Sequence, residues 1–130
     1  MAGLVYLDAS ALVKLVRSEP ESRALLESSE EWAELVTSVV GEIELLRVVR
    51  RAGLDSSAAD ELLDQVTLIA LDEEVRERAS GVGDPLLRTL DAIHLATAIS
   101  IAGELDGFAC YDSRLAREAE RAGLTVLAPA

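Results

Sequence analysis

Residues 4–10 read Leu-Val-Tyr-Leu-Asp-Ala-Ser, four apolar residues running straight into a carboxylate with no loop between them. A short apolar run of this kind predicts a buried strand, and the pattern after it predicts a helix. Asp8 therefore falls at a strand-to-helix junction. Two uses of it are open there. Its side chain can cap the helix by accepting a backbone N–H, or it can take part in a reaction at the end of a sheet.

Outward from this stretch, short β-like runs alternate with helical ones. Strands are expected at 4–7, 35–37, 66–71, 108–111 and 125–127, and helices at 9–17, 20–31, 39–52, 56–65, 73–80, 90–104 and 113–122. Pro20 between two glutamates suits a helix start, and Gly53 and Gly123 suit helix stops. Apolar strands alternating with helices imply an α/β fold whose central parallel sheet is covered on both faces. No repeat or linker interrupts the pattern, so the 130 residues are read as one domain, 1–130. The one loose segment, 80–85, holds Gly81 and Gly83 but lacks the surroundings of a phosphate-binding loop.

Half of the residues are hydrophobic and only 3% are aromatic, which predicts a core of Leu, Val, Ile and Ala. The longest nearly apolar stretch, 92–103, is shorter than the ~20 residues that span a bilayer, and the first residues lack the basic character of a signal peptide. With a single cysteine, Cys110, these features point to a cytoplasmic protein away from membranes. Trp32, Tyr6 and Cys110 read as packing residues. Twelve basic against 24 acidic residues give a net charge of −12, a field that repels nucleic acid and attracts cations or a basic partner.

Parallel sheets bind ligands beyond the carboxyl ends of their strands. Asp8 ends the first expected strand and Asp112 the fourth, so two unconnected strands deliver an aspartate to one edge; each also suits an N-cap. Asp91 opens the most hydrophobic helix, behind a Thr89 well placed to cap it, and an acid opening a buried helix needs a cleft or a partner. Two glutamates lie close together in 38–51. Glu44 has Arg47 and Arg51 on its side, which reads as a solvated ion-pair face. Glu42 shares its side with Leu45, Leu46 and Val49, where a carboxylate is costly without cations or hydrogen bonds. Four such acids in one cleft would raise one another's pKa values unless a positive charge stood between them. With no Cys or His cluster, Mg²⁺ or Mn²⁺ is the expected ion. Such ions activate water and steady a leaving oxygen in phosphoryl chemistry, and the acidity then serves the reaction.

At these residues the sequence resembles a PIN-domain ribonuclease, specifically a VapC-type toxin of a toxin–antitoxin pair. The segments are 6–15 (YLDASALVKL), 37–47 (TSVVGEIELLR), 90–98 (LDAIHLATA) and 110–127 (CYDSRLAREAERAGLTVL), four in order over nearly the whole chain. The resemblance places the family's acidic residues on Asp8, Glu42, Asp91 and Asp112, as metal ligands and catalytic groups. It implies a three-layer α/β/α fold and Mg²⁺- or Mn²⁺-dependent endonucleolytic cleavage of RNA. It also implies a homodimer, and a cognate antitoxin that wraps the toxin in a heterotetramer or larger assembly. Ala9 and Cys110 stand where the family often carries hydroxyl residues, which leaves Ser10, Ser38 and Ser113 as candidates to support the acids.

His94, one turn after Asp91, reads as a hydrogen-bonded core residue more readily than as a general base, since a metal supplies the activated water without it. Lys14, Arg88 and Arg114 are the candidates for binding RNA, by its shape and backbone, because no base-stacking platform is visible. A competing enzyme class, phosphoryl transfer through an aspartyl phosphate or a receiver-type domain, needs a second acid beside the nucleophile and usually a lysine. Asp8 is followed by Ala9 and Ser10, and Lys14 is the only lysine. A non-catalytic interaction module, with its aspartates as caps, accounts for Asp8, Asp91 and Asp112 but leaves Glu42 unexplained.

Overall fold

The central strand of the sheet, β1 (Leu4–Leu7), is built from the opening apolar run, and three of its four residues are buried. A computed structural model describes residues 3–130. In chain order, β1 is followed by α1 (Ala9–Val16), α2 (Ser22–Ser29), β2 (Glu34–Ser38), α3 (Val39–Ala52), α4 (Ser56–Gln65) and β3 (Val66–Ile69). Then come α5 (Glu73–Ala79), α6 (Thr89–Ser100), β4 (Gly107–Ala109), α7 (Ser113–Arg121) and β5 (Val126–Leu127). All strand pairs are parallel, and the five strands lie in the order β3-β2-β1-β4-β5.

Strand alternation sorts the side chains into two layers of core. Val5, Leu7 and Ala109 pack with Leu12, Leu25, Leu45, Val49 and Ala59, so α1–α4 cover one face. Tyr6, Val36, Phe108 and Cys110 pack with Leu95, Ala98, Leu115 and Ala119, so α6 and α7 cover the other. This is the expected α/β/α sandwich. The chain first builds outward from β1 to β2 and β3, then crosses to β4 on the other side. The direction of winding thus reverses between β1 and β4, which is where open α/β sheets form their ligand crevice. Among the described residues, no helix is long and apolar enough to cross a membrane.

Several element ends differ from the sequence expectation, each for a local reason. β4 stops at Ala109 because the Tyr111 N–H donates to Ser10 Oγ, at 2.9 Å, instead of to a neighbouring strand. β3 stops at Ile69, opposite Ser38, where its only neighbour ends. α2 begins at Ser22 and not at Pro20, since the Ser22 hydroxyl donates to the Arg17 carbonyl and accepts the Glu19 N–H, folding 17–22 into a turn. α6 is shorter than 90–104: Ser100 donates to the Thr97 carbonyl and the chain leaves through successive turns to Leu105. Thr89 does not cap α6 but is its first helical residue; Arg88 is the cap position and makes no side-chain capping bond. Gly53, at φ 64°, ends α3 in the left-handed conformation that glycine adopts without strain.

Candidate active site

Asp8 faces the α6 side of the sheet because it stands two residues after Tyr6, in register with the strand's alternation. It is 3% exposed. Its backbone N–H donates to the Ala109 carbonyl, which ties it to the end of β4. Its Oδ1 accepts both the Ala11 N–H (3.0 Å) and the Ser10 hydroxyl (2.6 Å), so Asp8 does cap α1. Ser10 also accepts the Tyr111 N–H, and one hydroxyl thereby fastens the loop after β1 to the loop after β4. Burial pushes the Asp8 carboxyl above its ordinary range, against the opposing bonds from Ser10 and Ala11.

Asp112 occupies the equivalent place after β4. Its Oδ1 caps α7 through the Leu115 N–H (2.9 Å), while Oδ2 lies 3.5 Å from an Arg88 nitrogen. Asp91, in the first turn of α6, lies 3.6 Å from the same guanidinium. The Asp91 carboxyl is pushed upward, first by burial and then by the charge of Asp112, with Arg88 opposing. The crevice therefore brings Asp8, Asp91 and Asp112 into one electrostatic field, with Arg88 between two of them.

Of the two glutamates in 38–51, Glu44 is the one that contacts α6, which corrects its reading as a solvated ion-pair face. Glu44 makes no ion pair with Arg47 or Arg51; its Oε1 lies 2.6 Å from His94 Nε2. Glu42 is half-buried at the margin of the stripe Gly41, Leu45, Val49, and makes no side-chain bond to the aspartates or to His94. Helix geometry explains the contact. Gly41 faces α6 so closely that a Cβ there would meet Leu12 and His94 at 3.2 and 3.3 Å, and Glu44 lies one turn further on that face. The signal was present in the sequence: a glycine inside a helix costs ~1 kcal/mol and marks a close approach.

The other candidates divide. Ser10 supports Asp8. Ser38 caps α3 by accepting the Val40 N–H and donates its own N–H to the Tyr6 hydroxyl. Ser113 is exposed at the start of α7. Lys14 pairs through its ammonium with Glu19 and Glu21 and lies 4.8 Å from the centre of the Tyr111 ring. The same pairs remove it as the lysine an aspartyl-phosphate site would need. Arg88 and Arg114 line a cleft together with Arg117 and Arg121, a grouping on α7 that sequence reading missed; Asp91 and Glu118 border it. Glu118 accepts the Asp84 N–H and an Arg121 N–H, holding the 80–88 loop against α7. Cys110 is buried, and burial pushes its thiol far above the usual range, so it is inert.

The donor set at the crevice consists of carboxylate oxygens, hard ligands suited to Mg²⁺ or Mn²⁺. Asp8 and Asp112 each use only Oδ1 for capping. Among the described residues, no three of these groups already converge on a single ligation point. The donors thus fit such an ion in chemistry, and Arg88 lies beside the acid pair Asp91 and Asp112.

A PIN domain, matched over residues 5–120, is the family these features define, and the chain belongs to it. Over 97% of both chains it is 39% identical to Ribonuclease VapC47 of Mycobacterium tuberculosis, and 40% identical to Ribonuclease VapC35 of the same organism over the same share. Its fold is similar to the crystal structure of Mycobacterium tuberculosis VapC20, a Sarcin-Ricin loop cleaving toxin. The TM-score is 0.75 at 14% identity, covering 96% of this chain and 99% of that one. It also resembles VapBC2 from Rickettsia felis bound to a promoter DNA fragment, with a TM-score of 0.67 at 13% identity over 95% and 97% of the two chains.

Proposed function

We propose that this chain is the toxin of a toxin–antitoxin pair, a Mg²⁺- or Mn²⁺-dependent endoribonuclease. The observation that carries the reading is that Asp8, Asp91 and Asp112 share one electrostatic field at the β1–β4 crevice, in a chain about 40% identical to named VapC ribonucleases over nearly its full length. Caps alone do not explain why Asp8 and Asp91 are held where burial disfavours their charge. That disfavour is what a cation relieves. Asp8, Asp91, Asp112 and Glu44, in place of Glu42, are the residues to hold it. The ion supplies activation of water and charge neutralisation at the phosphate.

The protein's own groups do the rest. Ser10 and the α1 backbone fix Asp8, and the α7 backbone fixes Asp112. Arg88, released from the acid pair, meets substrate phosphate beside Arg114, Arg117 and Arg121. RNA backbone follows this arginine cleft, which gives an acidic protein a local patch for phosphates. The partner is a cognate antitoxin with a basic segment, drawn by the −12 charge. A homodimer, joined by antitoxin into a heterotetramer or larger assembly in the cytoplasm, completes the reading. The structural relatives include a toxin–antitoxin complex from Klebsiella pneumoniae.

The test is incubation of antitoxin-free protein with total RNA, with and without Mn²⁺ or Mg²⁺, beside Asp8→Asn. Discrete metal-dependent fragments that vanish with the variant are expected. Folded protein that cuts no RNA at saturating metal overturns the reading.

A further inference from the structure

A buried chain of hydrogen bonds runs from the sheet to the mouth of the crevice. The Ser38 N–H donates to the Tyr6 hydroxyl at 3.2 Å, the hydroxyl lies 2.6 Å from His94 Nδ1, and His94 Nε2 lies 2.6 Å from Glu44 Oε1. Tyr6 is fully buried and His94 is 1% exposed, while the Glu44 side chain, at 22%, is the partly exposed end of the chain. A backbone N–H only donates, so the Tyr6 oxygen accepts from Ser38. A carboxylate only accepts, so His94 Nε2 carries a proton toward Glu44; in the Nε2–H tautomer Nδ1 then accepts the Tyr6 proton. The Tyr6 ring is clamped as well, stacked on Phe108 at 5.3 Å and edge-on to the His94 ring at 5.7 Å.

We propose that His94, backed by Tyr6, is a positioning residue that holds the Glu44 carboxylate at the β1–β4 crevice, on the face of α6 that carries Asp91. Its place three residues after Asp91 puts both side chains on one side of α6. Gly41 lets α3 approach closely enough for the contact to form. His94 thus does neither of the two things a lone histidine near acids suggests: it is not a general base, and it is not merely core filling. The proposal rests on the nuclease reading for its consequence, but its geometry can be tested without RNA.

Because His94 is the only histidine in the chain, its ring nitrogens give a single set of ¹⁵N signals. In metal-free protein a proton on Nε2 is expected, bonded to Glu44 and slow to exchange. Glu44→Ala should move the Nε2 signal and Tyr6→Phe the Nδ1 signal. The opposite tautomer, or nitrogen shifts indifferent to both substitutions, overturns the relay whether or not any RNA is cut. In cleavage assays His94→Gln should lower kcat by roughly 10–100-fold, the loss usual for a residue that orients a ligating side chain. Tyr6→Phe should give a smaller loss in the same direction. In the Glu44→Ala background, His94→Gln should cost nothing further; fully additive losses would show that His94 does not act through Glu44. If no variant and no wild-type protein cuts RNA, the nuclease reading fails while the nitrogen shifts still decide the relay.

Discussion

Asp8 does two jobs whose energetics oppose each other. As a cap it contributes about 1 kcal/mol through the Ala11 N–H, yet burial penalises its negative charge. An acid whose pKa is higher in the folded state binds more protons folded than unfolded. Its stabilising contribution is therefore fully present below the unfolded pKa of about 3.9 and is lost as pH rises through the folded value. Asp8→Asn keeps an oxygen for the cap and removes the charge. Its metal-free form should melt higher than wild type at neutral pH and show a flatter dependence on pH, while cleavage is abolished. Melting in EDTA from pH 4 to 8 checks this, and an equal or lower neutral Tm would show that burial is not what strains the site. The two glutamates of α3 give the complementary comparison. Glu44→Gln should cut kcat at least tenfold, while Glu42→Gln should stay within about twofold of wild type, since Glu42 makes no bond within the site; RNA-cleavage kinetics on both variants checks this. Sequence reading placed Asp8, Asp91 and Asp112 because each sits at the start of a helix, where the chain pattern is unambiguous. It read Glu44 as a solvated ion-pair face because side-chain company along one helix does not reveal what the neighbouring helix presents. His94 was read as a hydrogen-bonded core residue, which it is, but its partner on α3 was not foreseen.

The elements were legible wherever apolar periodicity sets them, and β1, α3 and α4 begin and end where the pattern says. The misjudged ends were decided by side chains bonding to backbone across the sequence, as Ser10 does to Tyr111 over about a hundred residues. No local pattern carries that information. Contact between α3 and α6 is likewise a matter of shape. At Gly41 an added Cβ would collide with the Thr37 hydroxyl, which is itself fully buried and bonded to the Leu7 carbonyl at 2.6 Å. Thr37 lies in β2, and with Leu12 and His94 also within 3.3 Å of the added Cβ, α3 must shift away from β2, α1 and α6 together. Gly41→Ala should therefore destabilise the protein by about 1–3 kcal/mol, despite the better helix propensity of alanine. That corresponds to a fall in Tm of roughly 3–10 °C. If α3 shifts outward, the Glu44 bond to His94 lengthens and kcat falls further than the loss of folded protein explains. Thermal melts paired with cleavage rates at a temperature where the variant is fully folded separate the two effects.

At the scale of the whole molecule, net charge and local charge point in opposite directions. A body at −12 repels RNA at long range, while four arginines at one cleft attract phosphates at contact. Outside the cleft, Lys14 and Arg17 pair with Glu19 and Arg78 with Glu74. Binding through a few phosphates gives a shallow salt dependence, at about 0.7 in log K per log salt for each phosphate on a single strand. RNA binding to the non-cleaving Asp8→Asn protein should therefore show a slope no steeper than about −3, the limit for four contacts. Arg114→Ala combined with Arg117→Ala should flatten it by roughly 1.4, two phosphate contacts' worth. Long-range repulsion should also keep RNA association slow at low salt, where a basic nuclease would be fastest. A basic antitoxin segment meets the opposite field, so its association should quicken as salt falls. Measured against salt, the two on-rates should thus diverge below about 0.1 M, where the screening length exceeds 10 Å. If RNA instead associates faster as salt is removed, with a slope untouched by the arginine substitutions, its path lies away from this cleft.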